Sequence, residues 1–311
     1  MFLPILDEAN HSPRMRKAFL LGAGLGTRLQ PLTNTLPKPL IPFENRPLIT
    51  HVMDHCIAAG LNDFAINTHH LHESWAEAFP DGTYRGAKLT FFHEPDLLET
   101  GGGIKNIADW IDGEPILVYN GDIITDLPID RLITGHMASN NIATLAVQDH
   151  GPALRIAVDG HKIVDIKGEV QGIAGTHQFT GIYCIDSDIL ELIPENEKIS
   201  ILPAFKELVP RQAIGAYHVK GSPRWLDLGT RDSYLEASFA QPAEIHPEAQ
   251  ISPSSTIENS WIGANCQIED GAVVKNSILW PGTQVSRDAE LTNCILHSNS
   301  SATGHHNDAD L

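Results

Sequence analysis

The chain is poor in cysteine, in positive charge and in long apolar runs, and each shortage excludes something. Its 311 residues hold 4 cysteines, Cys56, Cys184, Cys266 and Cys294, with no CxxC pair. That excludes a disulfide framework and a thiolate zinc site, and points to free thiols in a reducing, cytoplasmic setting. Lys and Arg number 21 against 39 Asp and Glu, a net charge of −18. Nucleic acid and anionic membrane are therefore not expected as partners. No apolar run approaches the roughly 18 residues of a membrane span. The first sixteen residues, with Asn10, His11, Pro13 and three charges before Met15, lack a signal-peptide core and are expected to be an extension, 1–16.

What is present centres on Lys17 to Pro39, KAFLLGAGLGTRLQPLTNTLPKP. Ala18 to Leu21 has the shape of a buried strand. Leu21, Gly22, Ala23, Gly24, Leu25, Gly26 and Thr27 then form a loop with almost no side chain, so backbone N–H groups can approach an anion. Arg28 adds a planar fork for phosphate oxygens. Lys38 stands between two prolines that restrict its backbone. The dinucleotide fingerprint would need glycine where Thr27 stands, and no Lys-Ser or Lys-Thr follows the glycines as a GxxxxGK[ST] loop requires. The stretch therefore reads as a phosphate site of another kind.

The whole string resembles the signature of the sugar-1-phosphate nucleotidyltransferases, GGxGTRLxPLTxxxPKP, with Ala23 in place of the second glycine. The resemblance implies transfer of a nucleotidyl group from an NTP to a sugar 1-phosphate, with pyrophosphate released. It implies Arg28 and Lys38 as catalytic cations, Arg28 on the pyrophosphate and Lys38 on the α-phosphoryl and sugar phosphate. LLETGGGI, Leu97 to Ile104, puts three glycines ahead of an apolar helical face, Ile104, Ile107 and Ala108. The amides of Gly101 and Gly102 are expected to face a ligand there. By resemblance Glu99 and Thr100 lie against the nucleobase. The string looks most like the uridylyltransferases of N-acetylmuramate 1-phosphate and the guanylyltransferases of mannose or heptose 1-phosphates, so UTP or GTP is expected.

Strands are expected at 64–67, 89–92 and 115–119, and helices at 47–59 and 70–79, an α/β alternation that predicts a Rossmann-like, mostly parallel sheet flanked by helices. His69, His70 and His72 do not match a zinc spacing. The strand ending in Asn120, Gly121, Asp122 places a carboxylate where open α/β sheets bind ligands. WLDLGT, Trp225 to Thr230, resembles the family's W-x-D-x-G-T element, which implies Asp122 and Asp227 as the two Mg²⁺ ligands. Residues 142–183 read as short strands on the sugar side. There the resemblance implies sugar-phosphate contacts at Lys38, Asn120, Lys167, Thr180 and Gly181. Ile166, Lys167, Gly168 stands where many relatives have Glu-Lys-Pro, and Asp165 is one residue out of register, on the opposite face of a strand.

A repeat closes the chain. Ile245, Ile251, Ile257, Ile262, Ile268, Val274, Leu279, Val285, Leu291 and Leu296 follow steps of six, six and five, and Asn259, Asn276 and Asn293 recur every seventeen. This predicts a short parallel (left-handed) β-helix of about three coils with an asparagine ladder at one corner. Trp261, Ile278 and Ile295 form a further column that faces either inward or outward. The expected organisation is a catalytic domain over 17–240, a hexapeptide-repeat β-helix over 241–297 and a disordered tail over 298–311. The β-helix is expected to mediate a homo-oligomer, with catalytic chemistry possible without it. Two other readings stand beside this one: a hexapeptide-repeat acyltransferase, and a non-catalytic nucleotide-sugar sensor.

Overall fold

A computed structural model describes residues 15–221 and 223–311; the expected extension lies outside the described residues but for Met15 and Arg16. Ten strands make one sheet, ordered Ile156–Asp159, Lys162–Ile166, Ile214–His218, Ala143–Gln148, Gln178–Ile185, Ile116–Asn120, Lys17–Leu21, Asp63–Thr68, Ala87–His93, Thr83–Tyr84. Seven of the ten point the same way; Lys162–Ile166, Gln178–Ile185 and Thr83–Tyr84 run against them. The central strands are apolar in their interiors because both faces are covered. Leu20, Phe64, Ile66 and Leu117 pack on one face, and Phe19, Ala65, Ile116 and Val118 on the other.

The helices depart from expectation where glycine was read as punctuation. Leu48–Ala58 forms as its periodicity predicts, whereas the helix after His70 covers only Glu73–Ala78. The glycine run does not precede its helix but lies inside it, in Glu99–Asn106. Helix Arg231–Ser238 opens on a capping box, Thr230 accepting from the Ser233 amide at 3.2 Å.

Residues from Gln250 onward coil into three stacks of short parallel strands, the β-helix that the repeat predicts. Ile262, Ile268, Val274, Leu279, Val285, Leu291 and Leu296 fill its interior. Asn259, Asn276 and Asn293 turn one corner with φ of 43°, 45° and 53°, and Asn259 Nδ2 donates to Asn276 Oδ1 at 2.8 Å. Asparagine tolerates that left-handed backbone better than other side chains.

The tail is not disordered. Ser301–Ala302 and His305–Asn307 continue two of the stacks, and the Leu311 amide bonds to Ile295 O at 2.9 Å. Small and polar composition misled here, because a coil needs only one inward apolar residue per side and Ala302 supplies one. The Trp261, Ile278, Ile295 column faces out of the β-helix and joins the core beneath the catalytic sheet. Trp261 Nε1 donates to Ser238 O at 2.7 Å, and Trp280 Nε1 to the Tyr234 hydroxyl at 3.1 Å. The strip is thus spent on a contact within the chain.

Candidate active site

Three parallel strands run side by side and end at Leu21, Thr68 and Asn120, and a cavity of about 390 Å³ opens at these ends. Its lining includes Ala23, Gly24, Lys38, Glu99, Thr100 and Asp122. Ligands of open α/β sheets bind at this carboxyl edge.

Among the described residues, the amides of Ala23 through Thr27 donate to no protein acceptor; Gly22 N instead bonds to Asn67 Oδ1 at 2.8 Å. Unused consecutive amides are what an anion-binding loop offers. Gly26 has φ of 62°, and a Cβ there would stand 2.8 Å from Thr33 Cγ2, so the turn that leads into Arg28 requires glycine.

Asp122 and Asp227 lie 105 positions apart and are united by a strand pair. Trp225–Asp227 runs antiparallel to Ile123–Thr125, with Asp227 opposite Ile123, and Leu228 N donates to Asp122 O at 3.2 Å. Lys38 Nζ reaches both carboxylates, Asp122 at 2.6 Å and Asp227 at 4.0 Å, from a side chain that is 9% exposed. Burial pushes the Asp227 carboxyl above its ordinary range, and the Asp122 charge adds to this, while Lys38 and Arg28 oppose it. Arg28 lies alongside: a Cβ on Gly229 would stand 2.8 Å from its Nη2 and 2.9 Å from Asp227 Oδ1.

The donor set fits a magnesium ion. Asp122 lines the open cavity, Asp227 stands within 4.0 Å of the same Lys38 Nζ, and no group of three or more His, Cys, Asp or Glu among the described residues forms a closed cage. Mg²⁺ characteristically takes one or two carboxylates and fills its shell with phosphate and water oxygens.

Other expected contacts fall differently. Gly101 N and Gly102 N both bond to Ile199 O, at 2.8 and 3.0 Å, so neither amide is open to a ligand. A Cβ on Gly101 would meet Ile199 O and Ser200 O at 2.8 Å, which makes these glycines packing residues. Glu99, with φ of 61°, and Thr100 do line the cavity. Thr180 is fully buried, its hydroxyl bonded to Ala146 O at 3.0 Å and its carbonyl to Trp225 Nε1 at 2.9 Å, so its side chain serves the fold. Gly181, φ 84°, lets the chain pass Asn120, whose Nδ2 would be 2.8 Å from a Cβ. Lys167 is exposed, outside the cavity, on a separate depression with Leu154, Arg155 and Gly168. Asp165 is not a displaced sugar ligand: it is fully buried and accepts from the amides of Val170, Gln171 and Ile173. Burial raises its pKa, but those backbone bonds outweigh burial and hold it low.

Sequence reasoning missed a supporting chain. Asn67 Nδ2 donates to Glu94 Oε1 at 2.8 Å, and Glu94 Oε2 accepts from Leu98 N at 2.9 Å. Glu94 is fully buried and ties the loop at Gly22 to the segment carrying Glu99. A polar residue near the end of an apolar strand was the available signal.

The fold and the paired carboxylates define a nucleotidyltransferase. The family model for nucleotidyl transferases matches residues 17–243, and the chain belongs to that family. A second model, the GMPPB C-terminal domain, matches residues 239–306. Among curated relatives, a mannose-1-phosphate guanylyltransferase of Mycobacterium tuberculosis is 25% identical over 239 residues, 75% of this chain and 67% of that protein. A mannose-1-phosphate guanyltransferase of Yarrowia lipolytica is 28% identical over 249 residues, 76% and 68% of the two chains. A solved UDP-glucose pyrophosphorylase from Acinetobacter baumanii shares the fold, with a TM-score of 0.64 at 19% identity, over 75% of this chain and 95% of that one.

Proposed function

We propose that the protein transfers a nucleotidyl group from an NTP to a sugar 1-phosphate, with Mg²⁺ on Asp122 and Asp227. The observation that carries this is Lys38 Nζ within reach of two carboxylates, Asp122 and Asp227, beside a loop of amides without protein partners among the described residues. GTP and mannose 1-phosphate are the first substrates to try, since the curated relatives bear those names, and UTP is the alternative base.

A sugar phosphate oxygen attacks the α-phosphorus, the new P–O bond forms, and the bond to the bridging oxygen breaks as pyrophosphate leaves. A phosphate monoester is already a nucleophile at neutral pH, so the residues need only position and neutralise. The amides of Ala23 to Thr27 and Arg28 hold the β- and γ-phosphates. Lys38 gives up its bond to Asp122 and turns to the α-phosphoryl. Asn120 and the bare backbone at Gly181 face the sugar phosphate, and Glu99 and Thr100 the base. Bound Mg²⁺ would supply the remaining charge neutralisation at the phosphates.

Pyrophosphate release, measured with a panel of NTPs and sugar 1-phosphates and with Mg²⁺ added or chelated, tests the proposal. Release with one preferred pair, abolished by chelation, is expected. No release with any pair overturns it.

A further inference from the structure

We infer that the β-helix sets the catalytic geometry through Tyr234, a positioning residue that fixes the Lys38 segment relative to the Asp227 segment. The inference rests on the reaction proposed above and concerns what holds Lys38 Nζ 4.0 Å from Asp227 Oδ1.

Both segments leave the cavity and end on the same side chain. From Asp227 the chain passes through buried Leu228 and Gly229 to the cap at Thr230; one helical turn later comes Tyr234, whose amide bonds to Thr230 O at 2.9 Å. From Lys38 the chain makes a single 3-10 turn, Lys38–Leu40, and reaches Pro42, whose carbonyl accepts the Tyr234 hydroxyl proton. Trp280, in the second coil of the β-helix, donates to the same hydroxyl at 3.1 Å. Tyr234 and Trp280 are both fully buried, so neither bond can be replaced by water.

The β-helix grips this junction at every level. Trp261, in the first coil, bonds to Ser238 O, and Arg231 bonds to Asn293 O in the third coil and to Asp310 Oδ1 on the level above it, each at 2.7 Å. Asn45, in the turn after Pro42, donates to Ile262 O at 3.2 Å and Glu244 O at 3.3 Å. Helix Arg231–Ser238 and the Pro42 hairpin are therefore both fastened to one rigid stack, and Tyr234 joins them where they meet. A shift of about 1 Å in a catalytic group can cost on the order of 10²-fold in rate.

The test uses the full chain. Tyr234→Phe deletes the hydroxyl and keeps the ring; Trp280→Phe removes the donor on the other side. Leu291→Ala, in the β-helix interior, is a stability control. Tyr234→Phe is expected to lower kcat about 10- to 100-fold with little change in the KM for NTP, at a temperature where it is folded. Trp280→Phe should lose less, and the double variant should resemble Tyr234→Phe, because both singles break one chain of bonds. Leu291→Ala should lose heat stability and keep kcat. Amide hydrogen exchange gives a reading free of activity: residues 38–48 and 225–230 should exchange faster in Tyr234→Phe, while 63–68 should not. Exchange in those two segments equal to the parent overturns the inference. So does a rate loss no larger than that of Leu291→Ala at equal loss of stability. A Tyr234→Phe chain that does not fold leaves both measurements to Trp280→Phe. A parent silent on every substrate pair overturns the proposed reaction instead, and exchange then decides the positioning role alone.

Discussion

Residues 22–28 and the β-helix make opposite use of the backbone. In the loop, the amides of Ala23 to Thr27 have no protein partner among the described residues. In the β-helix they are handed from coil to coil, Gln250 to Cys266 O, Gln267 to Thr283 O and Gln284 to Ser300 O, at 2.8 to 2.9 Å. Where hydrogen-bonding capacity is unused, a ligand can bind; where it is consumed, the chain becomes stiff. The glycine helix shows the distinction inside one motif, since Gly101 and Gly102 look like loop glycines and have their amides taken by Ile199.

The hardest blow to that division of labour is to remove the stiff part. Stopping the chain after Ala240 strips Trp261, Ile278, Trp280 and Ile295 from the core under the sheet and bares Tyr234. We expect a large loss of thermal stability and, where the repeat pattern alone suggested that catalytic chemistry would survive, loss of activity as well. A truncated chain with the parent's melting temperature and rate would break the comparison.

Next in size is loss of charge at the open end. Asp122→Asn and Asp227→Asn should each lower kcat by about 10²–10³ while leaving the fold intact. Asp227→Asn should also be slightly more heat-stable than the parent without Mg²⁺. Its folded pKa is raised, so the folded state binds the extra proton and the ionised carboxylate works against folding at neutral pH. Calorimetry of the metal-free proteins checks the sign, and a less stable Asp227→Asn would contradict it.

Arg28→Ala should cost about 1.5–3 kcal/mol of transition-state stabilisation, the range for hydrogen bonds to charged groups, and Arg28→Lys should recover only part of it. Steady-state kinetics in pyrophosphate release distinguish them. Full recovery by lysine would reduce Arg28 to a general positive charge.

The smallest effect is read by pH at the Pro42 hairpin, which Asn45 fastens to the stiff side. His51 donates through Nε2 to Phe43 O at 3.0 Å and accepts from Arg46 at Nδ1, and burial lowers its pKa to about 4. An unfolded histidine titrates near 6.5, so its contribution is complete above that pH and is lost progressively as pH falls toward 4. The difference in melting temperature between the parent and His51→Gln should shrink on acidification. A constant difference from pH 7 to 4.5 would show that the ring charges equally in both states.

Contiguous signals were legible and long-range ones were not. The loop at Gly22 to Arg28 and the seventeen-residue repeat declare themselves in short windows, because their backbone demands are local. The union of Asp122 with Asp227 depends on a strand pair across 105 positions, and only resemblance suggested it. Lys167 shows the limit of resemblance, since the lysine stands outside the cavity. The orientation of Trp261, Ile278 and Ile295 could not be read from a period that inward and outward columns share. Asp165 illustrates the same gap, since a buried carboxylate that fastens a loop looks in sequence like a strayed ligand.

The glycines of helix Glu99–Asn106 also bear on how this site can diversify. A side chain on Gly102 would collide with Glu197 O at 2.4 Å, and one on Gly101 with two carbonyls at 2.8 Å. Both positions are mutationally closed, although they sit within three residues of Glu99. On the proposed reading, with the base against Glu99 and Thr100, changes in base preference would fall on the cavity positions of this end that carry side chains: Leu97, Glu99, Thr100 and Ser200. A lineage adopting a new nucleotide would vary there and leave the glycines untouched, so divergent descendants would share the most uniform part of this segment and differ in the residues that choose the substrate.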